Sequence, residues 1–160
     1  MTYFDTSVLV AFYANERSAL EAARSLAGSH HPAPFNRILE LELRNAIRRK
    51  VPRREATPTQ VRGFLRQLVS DLTQGILAWQ VFDFDRVFDR AETLGTRFTE
   101  QLDTRSFDIL HVSIAIETGC DAFHTFDHDQ RRLAAAAGLT TNPITRKERE
   151  NKLTQSRDGH

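Results

Sequence analysis

Asp5, Glu42, Asp108 and Asp127 stand where a carboxylate has chemical consequences. Asp5 follows the short apolar start Tyr3-Phe4 and precedes Thr6-Ser7, at the change from an extended piece to a helix. In parallel α/β sheets, sites lie beyond such carboxyl ends of strands. Glu42 falls inside the apolar arc of Ile38, Leu39, Leu43, Ala46 and Ile47, one turn from Ile38 and from Ala46. A carboxylate on a core-facing row loses solvation and needs a cation or hydrogen bonds in return. Asp108 opens the most apolar helical stretch, where the helix dipole favours its ionised form. Asp127 follows a strand-like segment and precedes a helix. Each acid also has a plain structural reading: a cap for Asp5, Asp108 and Asp127, an edge position reaching solvent for Glu42. Their joint placement is the weaker coincidence. With Cys120 the single cysteine and no histidine pair at ligand spacing, such hard oxygen donors suit Mg²⁺ or Mn²⁺ rather than Zn²⁺.

The elements that must position these acids alternate short extended pieces with helices. Tyr3–Phe4, Ala33–Asn36, Ile76–Phe82, Ala122–Thr125 and a weak Leu139–Asn142 read as strands. Between them the periodicity predicts helices from Thr6 or Ser7 to Tyr13, Ser18 to Leu26, Arg37 to Lys50, Thr57 to about Thr73, Arg86 to Leu102, Ser106 to Glu117 and Asp127 to Ala137. Thr57-Pro58-Thr59-Gln60 is a capping-box start with Pro at the first helical position. Ser106 to Glu117 is apolar almost all round, so it should be buried. Short strands between helices point to a parallel sheet covered on both faces, one compact α/β sandwich.

Size and composition bound the reading. The chain has 160 residues, the size of one domain, with 40% hydrophobic and 27% charged residues. Twenty-two Lys and Arg against 21 Asp and Glu leave a formal charge of +1, so nucleic acid has to be held by local patches rather than bulk charge. The longest apolar run, Val8 to Ala14, is too short to span a bilayer. The opening Met-Thr-Tyr-Phe-Asp lacks the basic region of a signal peptide. A single cysteine excludes an intramolecular disulfide. The expectation is a cytoplasmic protein in a reducing compartment.

Taken in order, the motifs resemble those of the PIN-domain nucleases, especially the VapC-type toxins of toxin–antitoxin pairs. Asp5-Thr6-Ser7-Val8-Leu9-Val10 is similar to the family's opening motif, and Glu42-Leu43-Arg44-Asn45-Ala46-Ile47 to its glutamate helix. Phe107-Asp108-Ile109-Leu110-His111-Val112-Ser113-Ile114-Ala115 resembles the third-acid helix. Thr125-Phe126-Asp127-His128-Asp129, then Leu133 and Gly138-Leu139, resembles the last motif. The resemblance runs from Tyr3 to Pro143. It implies a three-layer α/β/α sandwich with a short central parallel sheet, a nuclease domain over 1–144, and a polar tail over 145–160 that is expected to fray. It further implies a divalent-metal site, Mg²⁺ or Mn²⁺, made of four acids. The implied activity is endoribonucleolytic, on single-stranded or looped RNA. A homodimer and a cognate antitoxin protein are the implied partners.

On that reading Asp5, Glu42 and Asp108 hold the main ion, directly or through water, and Asp127 holds a second ion or orients water. Asp129 competes with Asp127 for the fourth role. Thr6, Ser7 and Thr125 are candidates to donate hydrogen bonds within the site, and His111, one turn after Asp108, to touch substrate or sit hydrogen-bonded and half-buried. The run Arg44, Arg48, Arg49, Lys50, Arg53, Arg54 is the conspicuous cationic cluster. Arg44, Arg48, Arg49 and Arg53 are its candidates for RNA phosphates, with a solvated face or an antitoxin surface as the alternatives. Glu40 is placed to pair with Arg44. Trp79 reads as core. Two other functions compete: a PIN-like module that binds without cutting, and a phosphohydrolase, which lacks here the second acid at position 7 and a strand-end lysine.

Overall fold

The computed structural model describes residues 1–29 and 32–142. The expected tail over 145–160 lies outside them. Five short strands alternate with seven helices in the order β1 (Thr2–Phe4), α1 (Thr6–Tyr13), α2 (Ala19–Ala27), β2 (Ala33–Phe35), α3 (Arg37–Arg49), α4 (Pro58–Thr73), β3 (Leu77–Trp79), α5 (Phe84–Leu102), α6 (Ser106–Glu117), β4 (Ala122–His124), α7 (His128–Ala136) and β5 (Thr140–Thr141). All pairings are parallel: β1 with β4, β4 with β5, and β2 with β3. Helices α1 to α4 pack on one another, as do α5 to α7, giving an α/β/α sandwich around the strands.

The sheet runs as two ladders, β1-β4-β5 and β2-β3, with β2 lying beside β1. Proline accounts for the seam. Ala33 donates its N–H to Ile76 and Phe35 accepts from Gln80, so these residues face β3 and Pro34 faces β1. Pro34 has no N–H to give there.

Helix starts follow the local chemistry. Asp5, Asn36, Thr57, Asp83 and Asp127 each cap a helix with a side-chain oxygen. The Thr57–Gln60 capping box forms with both reciprocal bonds. Asn36 ends β2 rather than extending it, because its side chain accepts the N–H of Ile38 and Leu39. The core is built on Tyr3, Phe4, Phe35, Leu39, Leu43 and Phe123, all at most 1% exposed. Helix α6 is buried as its composition demands: Ile109 and the unbroken run from His111 to Ala115 are all in the interior. It lies close against α5 at Gly95, where a Cβ would stand 3.7 Å from Ile109 Cδ1.

Two expectations need correction. The strand read as Ile76–Phe82 is only Leu77–Trp79, since β2 offers three partners before Asn36 turns into α3. Trp79 is 48% exposed, not core. It ends an edge strand, packs against Phe35 and carries the Arg37 guanidinium 4.8 Å above its ring.

Candidate active site

Asp5 is set by the ladder beneath it. Its N–H donates to His124 O at 3.0 Å, continuing β1 along β4, and its side chain then turns to cap α1. Oδ1 accepts Ser7 Oγ at 2.7 Å and Val8 N–H at 3.3 Å. The residue is 4% exposed. Burial pushes its carboxyl above the ordinary Asp value; Ser7, nearby His111 and the Val8 amide pull back without cancelling it.

The neighbouring hydroxyls tie helix starts together. Thr6 Oγ1 donates to Glu42 Oε2 at 2.7 Å, joining α1 to α3. Ser7 Oγ also accepts the Phe126 N–H at 2.8 Å, joining α1 to the β4–α7 connection. Thr125, wholly buried, accepts the Asp127 N–H on Oγ1 at 2.9 Å. Asn142, just past β5, clamps Thr125 with both ends of its amide, at 3.1 Å to the N–H and 3.0 Å to the carbonyl. The polar end of the last strand is therefore a brace for the site.

Glu42 is half-buried on the core-facing row of α3. Burial pushes its carboxyl up, but the His111 and Thr6 hydrogen bonds and the proximity of His111 outweigh that and hold it below the ordinary Glu value. His111, 2% exposed, bonds Glu42 Oε2 through Nε2 and the Tyr3 hydroxyl through Nδ1, the latter at 2.8 Å. Asp108 lies one turn earlier on α6. Its carboxyl is pushed up, first by burial and then by the negative charge of Asp127, against the opposing pull of Arg105 and His111. Asp127 caps α7, its Oδ1 accepting the N–H of Asp129 at 2.8 Å and of Gln130 at 3.1 Å. The reciprocal bond of a capping box is missing: Gln130 Oε1 is buried without a partner.

Asp5 and Glu42 are thus linked through Ser7 and Thr6 in the first turn of α1, while Asp108 and Asp127 sense each other's charge. Among the described residues no Lys or Arg forms an ion pair with Asp5, Asp108 or Asp127, and no three His, Cys, Asp or Glu side chains already stand as a metal cage. The donors on offer to a cation are carboxylate oxygens. That set fits Mg²⁺ or Mn²⁺, because like charges held together in partial burial are relieved by a hard cation. Asp129 sits apart from this group: it is exposed and faces His128 at 3.3 Å and Arg132 at 3.7 Å on its own helix.

The basic run divides. Arg44 donates to Glu40 at 2.9 Å, which Arg37 also pairs, and Lys50 is held by Glu16 and Glu55. Arg48, Arg49 and Arg53 are exposed and form no ion pair among the described residues. The fold adds two cations that sequence reasoning missed. Arg62 and Arg66, one turn apart on α4, line a groove of about 620 Å³ with Arg44, Leu65, Val69 and Ser70. Their four-residue spacing was the available signal; only the packing of α4 on α3 turns it toward Arg44.

No curated protein matches the chain in sequence. Among solved structures, VapC20 of Mycobacterium tuberculosis, described as a sarcin–ricin loop cleaving toxin, superposes with a TM-score of 0.65 at 16% identity, over 89% of this chain and 100% of that one. VapBC2 of Rickettsia felis, solved on a DNA fragment from its promoter, gives 0.62 at 18% identity, over 89% and 98%. Both likenesses are likenesses of fold. The PIN domain family model matches residues 2–136. With its strand order, its helix-capping acids and this match in agreement, the chain belongs to the PIN domain family.

Proposed function

We propose that the protein is a divalent-cation-dependent endoribonuclease and the toxin of a toxin–antitoxin pair. The observation that carries this reading is the group of Asp5, Glu42, Asp108 and Asp127 at the ends of β1 and β4 and on the two flanking helices, with no Lys or Arg ion pair to any of them among the described residues. Asp5, Glu42 and Asp108 are the ligands of the main ion, and Asp127 holds a second ion or orients the attacking water. Bound there, Mg²⁺ or Mn²⁺ supplies positive charge for the scissile phosphate and acidity to a water. Ser7 and Thr6 keep one oxygen each of Asp5 and Glu42 engaged, and Thr125 sets the start of α7 that carries Asp127. Arg48, Arg49 and Arg53, with the groove of Arg44, Arg62 and Arg66, attract the RNA backbone.

Looped RNA of the kind VapC20 is described as cleaving is the substrate class to try first. The phosphohydrolase alternative gains nothing here, since Lys50, the one lysine among the described residues, is engaged by Glu16 and Glu55. The same reading places the protein in the cytoplasm, with a cognate antitoxin as partner and a second copy of itself across the exposed aromatic row of Phe84, Phe88 and Phe107. No helix among the described residues is long and apolar enough to cross a membrane.

Protein freed of any partner should cut a structured RNA with Mg²⁺ or Mn²⁺ and stop in EDTA. Cleavage that persists in chelator, or full activity in Asp5→Asn, removes the metal-nuclease reading.

A further inference from the structure

The support beneath Glu42 has a direction, and that direction begins at a helix cap. Asn36 Oδ1 accepts the N–H of Ile38 and of Leu39, both at 3.0 Å, so the amide nitrogen is the end turned toward Tyr3. An amide nitrogen only donates. At 3.2 Å it gives its hydrogen to the phenolic oxygen of Tyr3. That hydroxyl is wholly buried, and its one other hydrogen-bond partner among the described residues is His111 Nδ1 at 2.8 Å. A phenol carries its hydrogen at neutral pH, so this hydroxyl has one hydrogen to place.

Donor counting settles the rest. If Nδ1 were the donor, the phenolic hydrogen would be sealed in the core with no acceptor, an arrangement native interiors avoid. Nδ1 therefore accepts, and the ring hydrogen sits on Nε2, against Glu42 Oε2. The same oxygen takes Thr6 Oγ1, while Oε1 accepts no hydrogen bond among the described residues.

We propose that Asn36, Tyr3 and His111 form a one-way hydrogen-bond chain that positions Glu42, engaging Oε2 so that Oε1 is presented to a cation. The identity of the cation rests on the nuclease reading above; the polarity of the chain does not. Tyr3 and His111 are positioning residues, acting through Glu42 rather than on RNA. The arrangement also couples two acids mechanically. Asp108 and the support of Glu42 share one turn of α6, so a displacement of that helix moves both together.

Two measurements test this. In metal-free wild type, a long-range ¹H–¹⁵N spectrum reads which ring nitrogen of His111 carries the hydrogen. It is expected on Nε2, and a hydrogen on Nδ1 overturns the chain. Mn²⁺ affinity of variants shown to be folded by circular dichroism is the second readout. His111→Leu is expected to weaken Mn²⁺ binding about 10- to 100-fold, the usual cost of losing support behind a ligand. His111→Gln, whose amide nitrogen can donate to the same oxygen, should recover most of it. Tyr3→Phe should lose about fivefold, one hydrogen bond's worth, and lose the fixed tautomer. Unchanged Mn²⁺ affinity in folded His111→Leu or in folded Tyr3→Phe overturns the positioning role; if the leucine variant fails to fold, the phenylalanine variant and the spectrum decide. Wild type with hydrogen on Nε2 but no Mn²⁺ binding overturns the nuclease reading and the role of Oε1. Wild type that binds Mn²⁺ and cleaves RNA with hydrogen on Nδ1 overturns the chain alone.

Discussion

Asp5 and Asp71 are both sealed carboxylates, 4% and 1% exposed, in opposite surroundings. Asp71, on α4, accepts the Tyr13 hydroxyl on Oδ2 at 2.6 Å and Gln67 Nε2 on Oδ1 at 2.7 Å. Both oxygens are matched, and the bonds rivet α1 to α4. Burial and then Asp71 itself drive the Tyr13 phenol up, so it keeps the hydrogen it donates. Asp5 draws its donors from the first turn of its own helix, Ser7 and Val8, and both reach the same oxygen. Its carboxyl is displaced upward by burial. A buried acid with both oxygens matched by neutral donors is a joint. A buried acid with an oxygen that no hydrogen bond engages among the described residues is, on the proposed function, one kept for a cation.

The largest test of that contrast is activity. Asp5→Asn should lower RNA cleavage to the level seen in chelator, at least about a hundredfold, while Asp71→Asn, where folded, should cleave at the wild-type rate. Equal losses would erase the distinction. Stability should reverse the order. Tyr13→Phe leaves a buried carboxylate oxygen without its donor and should cost about 1.5–3 kcal/mol in urea titrations. Asp5→Asn in chelator should match or exceed wild type, and a comparable destabilisation would show that Asp5 is a joint after all.

Proton linkage sharpens the comparison further, because the site contains both signs. Asp5 is raised in the folded chain, so the unfolded chain ionises first as pH rises. In chelator, the melting temperature of Asp5→Asn relative to wild type should be level below about pH 3.5 and climb until the raised value is passed. Glu42 is lowered, so its charge stabilises the fold above the ordinary Glu value, and that contribution is lost as pH falls through the lowered one. Glu42→Gln should therefore be less stable than wild type at neutral pH and converge with it in acid. Thermal melts from pH 3 to 7 read both curves, and parallel curves would show that the two acids share one environment. The smallest effect belongs to the periphery. Replacing Arg48, Arg49 and Arg53 with Gln should flatten the salt dependence of RNA binding by about 0.7 per lost contact. Parallel salt titrations of variant and wild type would rule out a phosphate role.

The acids were legible in the sequence because strand ends and helix starts leave local marks. Asp5 precedes a cap-competent turn, Asp127 stands three residues before Gln130, and Glu42 interrupts an apolar arc. Their supports were not. Asn36 and Asn142 both read as the last residues of strands, and nothing local marks Asp71. Each acts across 17 residues or more, on Tyr3, Thr125 and Tyr13 respectively. Such roles depend on which elements meet, and three-residue strands carry too little pattern to say. Trp79 was misread for the same reason: alternation in Leu77-Ala78-Trp79 does not distinguish an edge strand from a central one.

The parallel pairing of β1 with β4 also sets a schedule. Thr2 aligns with Ala122 and Phe4 with His124, so β1 waits through synthesis of every element from α1 to α6 before its partner β4 exists. Loop closure over that span is slow relative to local helix formation. Asp5 is made well before Asp127, and a chain released between them lacks the strand that fixes one and the helix capped by the other. Under the proposed function, a nascent chain would cut no RNA before β4 and α7 have been made. The same interval would be the one in which an antitoxin, if the proposed pairing holds, could meet the chain before its site is assembled.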